Sequence, residues 1–336
     1  MEIGEVDPFD DDQVAAWHAV YERSQSHDRA FPSPWRLPEA EAALRDPGRR
    51  RRIVAFSGRV DGAVVCSGAI RLPQLDNLAS AALAVDTEPA LRRRGYGAAM
   101  LAHLEQCAVA EGRTLLDTET FYPGDAPADG AGYDNADFLT HRGYVFGLGD
   151  VHRRLELPAE PALLDRLAGE AAPHHAAYQV RTWRGRVPDE LVESFATINA
   201  SLMTEAPAGE VEREPEVADV AVLREEEALR EQQGRVPYVA VAVDRAGTVV
   251  AFTTVMTTVH EPGRGYQWGT VVDRAHRGHR LGIAVKVANL RALQQHDPPV
   301  RELFTYNAEV NTHMVAINEA LGFVAVERLG EFQKRI

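Results

Sequence analysis

The chain of 336 residues carries its own pattern twice. An Asp61-Gly62 turn between two apolar runs, Arg52–Ser57 and Ala63–Leu72, returns as Ala246-Gly247 between Tyr238–Asp244 and Thr248–Thr257. Gly between apolar runs marks a β-hairpin. An Arg/Gly cluster follows in each half, at Arg92–Ala98 and at Arg277–Gly282. The offset is constant, because Gly62 to Gly247 is 185 positions and Arg92 to Arg277 is also 185. Gly143 to Gly322 is 179, so insertions fall late in each half. A fold that satisfies one half must satisfy both.

Between these markers the apolar spacing alternates between strand and helix periods. Leu78–Thr87 and Tyr266–Val272 read as strands. Arg94–Glu111, with Met100, Leu101, Leu104, Cys107 and Ala108 on one face, reads as a helix, as does His279–Gln295 with Ile283, Val287, Leu290 and Leu293. Leu115–Glu119 and Glu302–Asn307 are strands, and Asn135–His141 and Asn311–Leu321 short helices. Gly143-Tyr144 and Gly322-Phe323 open closing hairpins. Two helical segments precede each hairpin, Asp11–Ser26 and Leu37–Arg45, then Pro188–Leu202 and Val217–Gln232. The expectation is an α/β protein, with a mixed α+β sheet in each of two domains. They span 1–157 and 177–336, joined by a linker at 158–176 with some helix over Pro161–Glu170.

Composition removes other classes. There are 36 basic and 50 acidic residues, a formal charge of −14, which argues against nucleic acid and against anionic membranes. No apolar run approaches the roughly 18 residues of a membrane helix, and the acidic start is unlike a secretory signal, so a cytoplasmic protein is expected. Cys66 and Cys107 alone build neither a zinc site nor a disulfide framework. The His174-His175 pair has no third ligand at a useful spacing, so no metal is assigned. Only two basic residues are lysines, Lys286 and Lys334.

The two clusters carry the chemistry. Arg92-Arg93-Arg94-Gly95-Tyr96-Gly97-Ala98 stands between a strand and a helix, as does Arg277-Gly278-His279-Arg280-Leu281-Gly282. A helix N-terminus offers unpaired N–H groups and partial positive charge, glycine admits a close approach, and arginine adds charge-assisted hydrogen bonds. Together these suit a pyrophosphate.

The clusters resemble the Arg/Gln-x-x-Gly-x-Gly/Ala signature of the GNAT N-acetyltransferases, which cradles coenzyme A. Arg92, Gly95 and Gly97 match it fully. Arg277 and Gly282 match, but Arg280 stands at the first glycine, where the backbone is expected to be helical. Asn311, Asn318 and Leu321-Gly322-Phe323 resemble the family's closing segment, and Asn135 with Arg142-Gly143-Tyr144 is a looser version. The chain is thus similar to two consecutive GNAT domains. Mycothiol synthase has this layout, as do tandem proteins encoded in actinobacterial antibiotic clusters, clavam clusters among them. The resemblance implies acetyl-CoA as cofactor and a small-molecule amine as acceptor. It implies that backbone at Val85-Asp86-Thr87 and at Thr270-Val271-Val272 pairs with the pantetheine arm, and that Asn135 and Asn311 lie near the cofactor.

Acetyl transfer needs a neutral amine, a donor for the oxyanion and a leaving thiolate. Many GNAT enzymes place a Tyr four residues before the closing Gly, where this chain has Leu139 and Asn318. For a base, Glu119 and Glu309 lie at the end of the fifth strand of each half, with His260-Glu261 a further pair, and Tyr306 and Asn307 are candidates to line the cleft. Glu205–Glu231 holds ten acidic residues against Arg213, Arg224 and Arg230, either a solvated helix face or a means of steering a cationic amine. Arg49–Arg52 reads as a basic turn. The second half, with its acidic flank, is expected to do the chemistry, with Glu309 as base. The alternative is a non-catalytic acyl-CoA binder with degenerate GNAT domains.

Overall fold

A computed structural model describes residues 1–296 and 300–336. In chain order the strands and helices are β1 (Glu2–Glu5), α1 (Asp11–Ser26), α2 (Leu37–Arg45), β2 (Arg51–Val60), β3 (Ala63–Pro73), β4 (Ser80–Thr87), α3 (Tyr96–Ala110), β5 (Leu115–Pro123), α4 (Asp134–Thr140) and β6 (Val145–Glu156). They continue as α5 (Pro161–Ala171), β7 (Gln179–Arg184), α6 (Val192–Ala200), α7 (Leu202–Glu205), α8 (Val220–Gln232), β8 (Arg235–Val243), β9 (Val249–Thr258), β10 (Arg264–Val272), α9 (Leu281–Gln295), β11 (Glu302–Ala308), α10 (Thr312–Ala320) and β12 (Val324–Arg335).

The chain forms two compact units. The first comprises Met1–Thr120, Phe138–Phe146 and Glu331–Ile336, and the second Phe121–Asp137 and Gly147–Gly330. In the first, β1, β2, β3 and β4 run antiparallel in that order, and β5 joins parallel to β4. In the second, β7, β8, β9 and β10 are antiparallel, β11 joins parallel to β10, and β6 pairs antiparallel with β11. The parallel step in each mixed sheet carries the intervening helix, α3 or α9, across the sheet.

Local chemistry explains the elements. Asp10 caps α1 by accepting from the Asp12 and Gln13 amides at 3.1 Å, and acidic Asp11 and Asp12 fill the first turn. Asp219 caps α8 in the same way. Met100, Leu101, Leu104 and Ala108 bury one face of α3. In the second unit Ile283, Val287, Leu290 and Leu293 of α9 pack with Leu164, Leu167 and Ala171 of α5.

Four expectations change. The helix expected within 158–176 forms as α5, but its buried leucines belong to the second unit's core, each contributing about 2 kcal/mol, so the span packs as part of that unit. The closing hairpins are single strands: Gly147–Glu156 of β6 belongs to the second unit and Glu331–Arg335 of β12 to the first. A repeat in sequence does not encode which sheet a strand joins. The short strands β1 and β7 escaped the reading, because both are largely exposed and neither alternates cleanly. Helices α3 and α9 start two residues later than the apolar spacing suggested, for a reason that lies in the Arg/Gly clusters.

Candidate functional site

Each parallel pair is short. β4 and β5 are in register only over Ser80–Ala82 and Leu115–Asp117, and β10 and β11 only over Arg264–Gln267 and Glu302–Thr305. Beyond those residues each pair opens into a wedge. Val85, Asp86 and Thr87 stay paired with β3 on one side, and Thr270, Val271 and Val272 with β9. Their other edge lies past the last parallel pair, where an extended ligand can add as a strand.

At the end of each wedge the Arg/Gly cluster turns into its helix. Arg93 has φ +65 and Gly95 φ +86, and Gly278 has φ +86 and Arg280 φ +52. The two turns therefore share two left-handed positions, two residues apart, each followed at once by α3 or α9. That is why the helices start late. It also corrects the expectation for Arg280, whose backbone is left-handed and not helical. Each turn uses glycine at one of its two left-handed positions and arginine at the other.

No N-cap side chain closes either helix. The first amides of α3, at Tyr96, Gly97 and Ala98, lie in the turn where no intrahelical acceptor exists. A Cβ on Gly97 would sit 3.1 Å from Thr87 Oγ1 and 3.8 Å from Val85 Cγ1, so glycine lets the helix start come close to β4. A Cβ on Gly282 would sit 3.2 Å from Ile317 Cδ1. A Cβ on Gly95 would meet nothing within 4 Å, so its side of the turn is open. Arg93, Arg94 and Gly95 are exposed, as are Gly278, His279 and Arg280. Open space, unpaired amides and three arginines fit a pyrophosphate at the first cradle.

The cradles differ in what their arginines touch. Arg92 donates to the Ser24 carbonyl and hydroxyl at 3.3 Å, both neutral. Arg277 donates to Glu205 at 2.6 Å, and Arg274 donates to the same carboxylate at 2.9 Å. Arg280 turns back toward Glu170, 3.7 Å away. His279 approaches the His174 carbonyl, and Leu281 is buried. The second cradle thus meets carboxylates of its own unit, Glu205 and Glu170.

Asp86 is buried and accepts from Gln25 Nε2 at 2.8 Å. Burial pushes its carboxyl up to about 6, against the opposing pull of Gln25, Ser24, Arg92 and Arg29. Ser24 and Gln25 end α1, so one turn of helix links Asp86 to Arg92. Asn135 is exposed near the start of α4 and belongs to the second unit, not to the one that holds the first cradle. Asn311 caps α10 by accepting from the Met314 amide at 3.2 Å, a structural use of its side chain.

The candidate bases separate. Glu119 is exposed on β5, four residues after Leu115. Glu309 is exposed beyond the end of β11 and accepts from Arg328 at 2.8 Å. The registers do not make the two equivalent: Ser80 pairs with Leu115 and Gly265 with Leu303, so the counterpart of Glu119 is Asn307. Glu261 accepts from Tyr266 OH at 2.9 Å and meets Arg264, which occupies it away from an acceptor role. Tyr306 stacks on buried His152 at 4.3 Å. In the acidic segment Glu205, Glu226, Glu227 and Glu231 each meet an arginine. Arg50 of the basic turn pairs with Asp76. Among the described residues no three His, Cys, Asp or Glu are grouped to hold a metal, and no helix is long and apolar enough to cross a membrane.

One group was missed. Lys286, within α9, is buried and donates to Asn318 Oδ1 at 2.9 Å. Asn318 in turn donates from Nδ2 to Asn307 Oδ1. Burial alone pushes the Lys286 amine down to about 7. A lysine on the apolar stretch of a helix, in a chain with one other lysine, was the available signal.

No family model and no curated protein matches the chain. Solved structures do. A tandem GNAT protein from the clavulanic acid biosynthesis pathway is 27% identical, with 99% of this chain and 98% of that one covered and a TM-score of 0.78. A GCN5-related N-acetyltransferase from Sphaerobacter thermophilus is 17% identical, with 99% and 95% covered and a TM-score of 0.61. A GNAT-family acetyltransferase from Colwellia psychrerythraea is 12% identical over 100% of both chains, with a TM-score of 0.54.

Proposed function

We propose that this chain, a tandem GNAT acetyltransferase, moves an acetyl group from acetyl-CoA to the amine of a small molecule in secondary metabolism. The observation that carries the reading is the conjunction, present twice, of a parallel strand pair that opens and a doubly left-handed turn at its mouth. The 27% identity to a protein of an antibiotic pathway supports the metabolic setting.

Acetyl-CoA supplies an activated acyl group, and the C–S bond breaks as the N–C bond forms. In the first half the amides of Tyr96, Gly97 and Ala98 and the guanidinium groups of Arg92, Arg93 and Arg94 hold the pyrophosphate, and the free edge of Val85–Thr87 holds the pantetheine arm. In the second half the same tasks fall to the turn at Arg277–Gly282 and to Thr270–Val272, with a weaker grip because Glu205 occupies Arg277. A thiolate of pKa near 8.5 leaves without an acid, which suits a chain with Leu139 and Asn318 where many GNAT enzymes hold a Tyr. Glu119 stands on the lip of the first wedge as an acceptor for the amine proton. Glu309, which lies off the lip beyond the end of β11, is the poorer candidate.

Native mass spectrometry with acetyl-CoA, followed by CoA release against a panel of small amines, tests the reading. Bound acetyl-CoA that Gly97→Phe removes from one site, together with amine-dependent release, supports it. Binding without release from any amine leaves a non-catalytic acyl-CoA binder. No binding at either cradle overturns both readings.

A further inference from the structure

The buried chain Lys286–Asn318–Asn307 has a direction. An ammonium group only donates, so the Asn318 amide must turn its oxygen toward Lys286. Its Nδ2 then faces Asn307, and the Asn307 amide must turn its own oxygen toward Asn318. The two side-chain amides, whose orientations are ordinarily ambiguous, are fixed in series by one cation. What is left is Nδ2 of Asn307, which has no protein acceptor among the described residues.

The place matters as much as the polarity. Asn307 lies two residues past Thr305, the last β11 residue in register with β10, and so stands on the lip of the second wedge. It is partly exposed, whereas Asn318 and Lys286 behind it are buried. The other half fills the positions of Lys286 and Asn318 with buried Leu101 and Leu139. Packing α9 and α10 against the sheet therefore does not need polar groups there. A buried amine without a carboxylate partner costs stability, and the Lys286 amine is pushed down to about 7 by burial alone. An arrangement that costs stability and serves no packing need is expected at a functional site.

We infer that Asn307 is a catalytic hydrogen-bond donor of the second domain, presented to the acyl carbonyl on which negative charge develops, and that Lys286 and Asn318 are positioning residues that hold its amide in the donating orientation. The inference rests on the acetyltransferase reading. A preorganised donor polarised by a chain of aligned hydrogen bonds in a partly dry cleft is worth far more than the same amide in water.

The test uses the full chain with Gly97→Phe, which confines acetyl-CoA to the second cradle. Acetyl-CoA labelled with ¹³C at the carbonyl gives an infrared band in the bound state. The expected result is a band below its solution frequency, which returns toward that frequency in Asn307→Ala and in the near-isosteric Asn307→Asp. On the same Gly97→Phe background, Asn307→Ala is expected to lower kcat roughly 100-fold with KM for acetyl-CoA within about threefold. Lys286→Met is expected to lower kcat about tenfold without lowering the melting temperature at pH 7, as a structural role would not. If the band and kcat are the same in Asn307→Ala as in the parent, the donor role is overturned and the enzyme reading stands. If the parent neither binds acetyl-CoA nor releases CoA with any amine, the acetyltransferase reading itself has failed, whatever Asn307 does.

Discussion

Gly95 and Arg280 hold the same left-handed backbone, at φ +86 and +52, one residue before the first turn of their helices. The side chain of Arg280 makes that conformation costly by about 1 kcal/mol, whereas glycine adopts it freely. Arg280→Gly is therefore expected to raise the melting temperature by a few degrees, and Gly95→Ala to lower it by a similar amount. Thermal denaturation of the two variants decides the point. Equal melting temperatures would mean that the turns relax differently.

Glu205 sits between Arg274 and Arg277, 2.9 and 2.6 Å from their nitrogens, at the mouth of the second cradle. A phosphate entering there must displace a carboxylate. Glu205→Gln keeps the shape and removes the charge, so acetyl-CoA should bind the second site about tenfold more tightly, with a steeper dependence on salt. Calorimetry on the Gly97→Phe background isolates that site. Unchanged affinity would show that Arg277 does not reach the ligand.

Much of this was written in the sequence. The repeat located both hairpins, both glycine turns and every helix near the cradles, because Asp61-Gly62 and Gly95 are required by positive φ wherever the chain turns. Three things were not legible. The left-handed backbone of Arg280 is imposed by a turn whose shape is shared with Arg92–Gly95, and residue type alone points the other way. The placement of Gly147–Glu156 and Glu331–Arg335 depends on long-range strand pairing, which a local pattern does not record. The equivalence of Glu119 with Asn307, in place of Glu309, needs the parallel registers Ser80 to Leu115 and Gly265 to Leu303.

Asp86 links the first cradle to pH. Its carboxyl is raised from 3.8 to about 6, so between those values the folded chain keeps a proton that the unfolded chain has lost. The group's contribution to stability is therefore present at low pH and is lost as pH rises through about 6. Asp86→Asn retains an acceptor for Gln25 and cannot ionise. Relative to the parent, its melting temperature is expected to be similar or lower at pH 4 and to gain steadily up to pH 7. A difference that does not vary with pH would place the titration elsewhere.

Lys286 runs the opposite way. Its amine is lowered from 10.5 to about 7, and Asn318 and the Phe323 ring are the groups around its Nζ, with no charged side chain contributing to the shift. Between pH 7 and 10.5 the unfolded chain binds a proton that the folded chain does not. Stability from this residue therefore rises with pH across that window, and the full cost of burying the ammonium is felt below it. In Lys286→Met that slope disappears. The melting temperature of the variant relative to the parent should be highest near pH 6 and fall as pH approaches 10. The same protonation sets the donor chain, since only the ammonium form forbids the Asn318 amide to flip. Turnover by the second domain is thus expected to decline above about pH 7 in the parent and to lose that limb in Lys286→Met. A pH–rate profile of both proteins on the Gly97→Phe background reads it, and an alkaline limb that persists in the variant would assign the titration to another group.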